Sequence, residues 1–158
     1  MKDISYLVGD ATAPKTPCPK IIVHVCNDIG AWSKGFVMAL SKRWSEPESQ
    51  YKTWYAKSKL NDFELGAVQV VQVEDDLWVG NMIGQHGIRR TKEGPPIRYN
   101  AVAKCLGKVA EKAKNLEASV HMPRIGCGLA GGNWEEIEPI ITRQLCKKSI
   151  AVYVYDRE

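Results

Sequence analysis

Met122-Pro123-Arg124-Ile125-Gly126-Cys127-Gly128-Leu129-Ala130-Gly131-Gly132-Asn133-Trp134 decides how the rest of the chain is read. Four glycines fall within seven positions, 126–132. An apolar run from Ser119 to Met122 precedes them and a helical pattern follows. The chain therefore leaves a strand, makes a glycine-rich turn and enters a helix. Glycine admits positive φ and lets another group approach the backbone closely. Successive amides in such a turn can converge on an anion, and a following helix N-terminus adds partial positive charge. The turn is either a phosphate cradle or a plain tight connection.

The segments on either side frame this turn. Asp3–Gly9 alternates, with Ile4, Tyr6 and Val8 on one face, and predicts a half-buried strand. Three prolines make Pro14–Pro19 a loop. Lys20–Cys26 is almost wholly apolar and β-branched, as a strand buried on both faces should be. The polar stretch Asn27–Gly35 follows at that strand's C-terminal end, where ligands of open α/β sheets bind. Helices are expected over Phe36–Trp44 and Pro47–Lys59, and strands over Gly66–Val73 and Asp76–Met82. A basic loop, Gly84–Pro96, leads to an amphipathic helix over Tyr99–Leu116. Asn133 should cap a helix through Leu145, with Pro139 either kinking it or marking where its regular part begins. Ser149–Tyr155 closes the chain as a strand. The order ββα(α)ββαβαβ predicts an α/β sandwich around a mixed sheet, with residues 1–158 as one domain.

Composition narrows the function classes. A net charge of +4 is too mild to argue for nucleic acid but suits a small anionic ligand. No apolar run reaches the roughly 20 residues of a membrane span, and the N-terminus has no signal-peptide pattern. Five cysteines with no Cys-x-x-Cys pair argue against a disulfide framework or a metal site, and predict a cytoplasmic protein with reduced thiols.

Three blocks together resemble the macrodomain family of ADP-ribose-binding modules. They are Tyr6–Thr12, Ile22–Asn27 with its glycine-containing loop, and Pro123–Leu129 with Trp134. The resemblance covers nearly the whole chain. It is strongest to the small stand-alone branch that holds the terminal ADP-ribose protein glycohydrolase and the ADP-ribose-1″-phosphate phosphatase. It implies a three-layer α/β/α fold with a six-stranded mixed sheet. The implied ligand is ADP-ribose or an ADP-ribose conjugate, such as an ADP-ribosylated protein, and no cofactor or metal is implied. Asp10 would hydrogen-bond the adenine amino group, Ala11 would be a further ADP-ribose contact, and Tyr155 would stack on the adenine or simply pack at the sheet edge. Asn27 with Ser33, Lys34 and Gly35 would surround the distal ribose. Gly126, Cys127, Gly128, Leu129, Ala130 and Gly131 would hold the diphosphate, with Ile125 a further ADP-ribose contact.

Two departures bear on chemistry. Gln85 stands where the glycohydrolases carry a lysine, and Ala130 where they carry an aspartate. Neither can take the familiar role. His24 matches a histidine of the phosphatase and is the candidate nucleophile or general acid/base, unless it is a satisfied core residue. Asn27 is the second candidate catalytic group. Cys127 is either a thiol activated by the cradle or a small side chain beside it. The expected function is hydrolysis of ADP-ribose-1″-phosphate or of ADP-ribosylated glutamate, with a non-catalytic reader of ADP-ribose as the alternative.

Overall fold

Strand β2 (Lys20–Asn27) runs through the middle of the sheet and sorts the core into two halves. Its alternation explains how. Ile21 and Val23 point to one face and Ile22 and Cys26 to the other, and all four are buried. The structure, a computed structural model, describes residues 2–157. Its sheet has six strands in the order β1-β6-β5-β2-β4-β3. They are β1 (Ile4–Val8), β2, β3 (Val68–Glu74), β4 (Leu77–Gln85), β5 (Ser119–Met122) and β6 (Val152–Asp156). β3 is antiparallel to β4, and every other pairing is parallel. The expected mixed sheet is therefore present, with one antiparallel edge.

Helices α3 (Tyr99–Leu116) and α4 (Trp134–Gln144) cover one face through Val102, Leu106, Val109, Ile137 and Ile141. Helices α1 (Phe36–Arg43) and α2 (Glu46–Ala56) cover the other through Leu40, Tyr51 and Trp54. The result is the expected three-layer α/β/α arrangement. Each fully buried aliphatic side chain contributes about 1.5–3 kcal/mol by leaving water.

Several boundaries move for physical reasons. β1 is not half-buried: Val8 is 69% exposed, because the strand pairs on one side only and forms a sheet edge. The second helix stops at Ala56, and Ser58–Leu60 continues as a 3-10 turn. The last strand begins at Val152 rather than Ser149, which sits at φ 63 after a 3-10 turn at Cys146–Lys148. Helix α4 begins at Trp134 and runs past Pro139, so its regular part does not wait for the proline.

Asn133 caps α4 as the sequence predicts, its Oδ1 accepting the Glu135 amide at 2.9 Å. Asn133→Ala should lower stability by about 1 kcal/mol, read as a shifted urea midpoint with an unchanged slope.

Candidate functional site

Five parallel strands end at the same edge of the sheet, and the loops that leave them frame a groove. Its first compartment, about 350 Å³, is lined by Gly9, Asp10, Ala11, Ala39 and Tyr155. The second, about 340 Å³, is lined by Gln85, Ile125, Gly126, Gly128, Leu129 and Ala130, with Lys34 on its rim. Gly35, Phe36, Pro123 and Arg157 line both compartments and form the seam between them. Each volume is within the range of small-molecule sites.

The glycine loop is built by contacts that forbid side chains. Gly126 sits at φ 72, and a Cβ there would come within 2.7 Å of Ile97. Gly131 sits at φ 75, with Pro95 in the same relation. The Gly132 amide donates to the Gly126 carbonyl at 2.7 Å and closes the loop on itself. Gly128 differs: nothing lies within 4 Å of its Cβ direction, so it faces open space.

The helix terminus that serves the groove is not the one the sequence suggested. None of the first residues of α4 lines the groove, its first turn carries Glu135 and Glu136, and its cap is taken by Asn133. Helix α1 has no acidic residue in its first turn and no side-chain cap, and its Phe36 and Val37 line the groove. Its positive end, not that of α4, is the one that borders the groove.

Asp10 is held in the turn after β1. Its Oδ1 accepts the Thr12 amide at 2.8 Å and the Thr12 hydroxyl at 2.7 Å, while Arg43 donates to Oδ2 at 3.2 Å. The Thr12 bonds, and to a lesser degree Arg43, lower its pKa, so it is a carboxylate at neutral pH. Tyr155 forms part of the same wall. Its hydroxyl meets His121 Nδ1 at 2.7 Å, and His121 Nε2 meets Ser119 Oγ at 2.7 Å. The His121 ring stacks on Tyr153 at 4.8 Å. This buried polar chain, which the sequence reading missed, fixes Tyr155 from behind.

The two candidate catalytic groups are both engaged elsewhere. Asn81 gives its amide hydrogens to Pro47 O and Gln69 Oε1, at 3.1 and 3.0 Å, which turns Oδ1 towards His24. His24 Nε2 therefore carries a proton and donates it to that oxygen at 2.6 Å. Burial pushes the imidazole down to about 4, against a smaller pull from Asn81. His24 is thus a neutral, satisfied ring at the groove floor, packed edge-on to Trp32 at 5.3 Å. Asn27 donates to the Ala31 carbonyl at 2.7 Å and accepts the Ile29 and Ala31 amides at 3.1 and 3.0 Å. Its side chain shapes the loop after β2 and does not line either compartment. Burial raises the Cys127 thiol pKa despite nearby Arg124, the opposite of activation.

Of the expected contacts, Asp10, Ala11, Lys34, Gly35, Ile125, Gly126, Gly128, Leu129, Ala130 and Tyr155 come together around the groove. Asn27, Ser33, Cys127 and Gly131 do not line it. Phe36, Pro123, Arg124 and Arg157 line it and were not anticipated as contacts. The signal for Arg157 was its place directly after the last strand. Gln85 and Ala130 both line the second compartment, so the two departures from the glycohydrolase pattern lie in one place.

Among the described residues no group of three or more His, Cys, Asp or Glu is placed to hold a metal ion. No helix among them is long and apolar enough to cross a membrane.

No protein-family model matches the chain. Among curated proteins, chromodomain-helicase-DNA-binding protein 1-like from Danio rerio is 33% identical over 98% of this chain. The chain spans only 16% of that protein's length, and 17% of its Mus musculus counterpart. The ADP-ribose 1″-phosphate phosphatase of Lodderomyces elongisporus is 25% identical over 97% of this chain and 99% of its own. Among solved structures, Thermosipho africanus DarTG in complex with ADP-ribose shares the fold, at 19% identity over 100% of this chain and 42% of its own, with a TM-score of 0.76. A protein of unknown function from Bacteroides thetaiotaomicron is 59% identical, with 98% of each chain covered and a TM-score of 0.94. A macrodomain protein from Streptomyces coelicolor is 54% identical over 99% of this chain and 100% of its own, with a TM-score of 0.88. With that identity along its whole length, and the sheet, helices and glycine loop described above, the chain belongs to the macrodomain family.

Proposed function

We propose that this protein binds ADP-ribose along the groove. The observation that carries the reading is the joining of two unlike compartments at one seam. The first pairs an aromatic wall, Tyr155 and Phe36, with the single carboxylate Asp10, which suits a nucleobase bearing an exocyclic amine. The second offers glycine-loop backbone beside the first turn of α1, which suits phosphate. Adenine then lies against Asp10, the diphosphate crosses the seam, and the distal ribose points towards Gln85. Calorimetric titration tests this, with AMP and ribose-5-phosphate as half-ligands. ADP-ribose should bind with one site and far more tightly than either half, because one molecule then fills both compartments. No heat at millimolar ADP-ribose would end the reading.

A second step, hydrolysis of an ADP-ribose conjugate at the distal ribose, is favoured by the full-length likeness to the ADP-ribose 1″-phosphate phosphatase. Its substrate is ADP-ribose-1″-phosphate or the glutamate ester of ADP-ribose. Gln85 and Ala130 supply neither a lysine nor a carboxylate there, and His24 and Asn27 are committed to Asn81 and to the Ala31 turn. The attacking group is therefore water held by the bound diphosphate, and the rate is low. Incubation of the wild type, His24→Ala and Asn27→Ala with both substrates checks this. Slow turnover by the wild type and by His24→Ala is expected. Asn27→Ala should lose turnover because its loop no longer holds its shape. Binding without turnover would make the protein a reader of ADP-ribosylated partners instead.

A further inference from the structure

The geometry points to Arg157 as the side chain that grips the anionic middle of the ligand, an inference that rests on the ADP-ribose reading above. Arg157 is the one charged residue shared by the linings of both compartments. Its backbone origin is fixed. Asp156 pairs in register with Val8, and its carbonyl accepts the Gly9 amide at 2.8 Å. The guanidinium thus starts from a rigid sheet end, and only its side-chain torsions need ordering. Gly35 and Phe36, the uncapped start of α1, line the same seam. A diphosphate at the seam would lie between these amides and a planar guanidinium that can donate two parallel hydrogen bonds.

Two other arginines near the groove have prior commitments. Arg124 donates to both Asp156 oxygens, at 2.8 and 2.9 Å. Its guanidinium also lies 5.0 Å from the Tyr6 ring centroid and 4.9 Å from that of Trp134, which holds it in place as a strut of the loop. Arg43 is bound to Asp10 and Thr12 and does not itself line the groove. Lys34 lines only the second compartment. The same pairing satisfies Asp156, so this neighbouring carboxylate does not compete for Arg157. Among the described residues no hydrogen-bond partner holds the Arg157 guanidinium.

Affinities of ADP-ribose and of adenosine, measured for the wild type, Arg157→Gln, Arg157→Lys and Lys112→Gln, test the assignment. Lys112 is an exposed cation on α3 and controls for net charge. Losing a hydrogen bond to a charged partner should weaken ADP-ribose about 10-fold to 100-fold in Arg157→Gln. Adenosine affinity should not change, Arg157→Lys should recover part of the loss, and Lys112→Gln should match the wild type. Arg157→Gln binding ADP-ribose within twofold of the wild type would overturn the assignment, and so would an equal loss in Lys112→Gln. A wild type that does not bind ADP-ribose at all would instead sink the underlying reading, so the two failures are distinguishable.

Discussion

Gly128→Glu will abolish ADP-ribose binding while leaving the fold intact. Two features make this substitution clean. Nothing lies within 4 Å of the Cβ direction at Gly128, so a side chain enters without displacing a neighbour. Gly128 is also absent from the positive-φ glycines, so an L residue fits its backbone. Gly128 lines the compartment assigned to phosphate, so the substitution adds a carboxylate at that compartment. Like charges brought together at a binding surface cost several kcal/mol, so affinity should fall by more than about 100-fold. The melting temperature should stay close to that of the wild type. Gly126→Ala is the instructive contrast: it meets both a positive φ and Ile97, and should lose stability as well as binding. Full ADP-ribose affinity in a folded Gly128→Glu protein would move the phosphate out of this loop.

The second large effect is on stability. His24 and His121 are both buried and neutral, and burial pushes each down to about 4. In the unfolded chain they would titrate at the ordinary 6.5. Between those values the unfolded state binds more protons, so stability rises with pH. The contribution is fully present above about pH 6.5 and is lost as the pH falls towards 4. Each histidine can account for roughly 3 kcal/mol over that window, a large share of the 5–15 kcal/mol that folds a typical domain. Urea midpoints at pH 7.5, 6 and 5 check it. This range lies above the carboxylates that titrate with lowered values, Asp10, Glu48 and Asp156. A steep fall towards pH 5 is expected. A flat profile would mean that neither ring is sealed from water as described.

What the sequence made legible followed from local pattern. The unbroken apolar run of β2, the three-and-four spacing of α3 and the glycine turn after β5 each point to one structure. Tertiary context decided the rest. β1 alternates like a half-buried strand, yet its neighbours leave it on an edge, and no pattern within five residues could reveal that. Asn27 sits where a ligand-binding amide is expected, but the Asp28–Ala31 turn takes up its hydrogen bonds. The donor helix was misplaced because the Gly131–Asn133 link carries α4 away from the groove lining, while α1, distant in sequence from the glycine loop, comes opposite it. Leu129 and Gly35 mark that approach, a Cβ on Gly35 falling 3.8 Å from the Leu129 side chain. His121 was hidden because its Tyr155 partner lies on another strand, β6.

A crystal structure of the protein with ADP-ribose tests the central claim most directly. The account predicts adenine between Asp10 and Tyr155, the diphosphate between the Gly126–Ala130 loop and the first turn of α1, and the distal ribose nearest Gln85. A ligand bound outside this groove, or one reversed so that adenine lies beside Gln85, would contradict it.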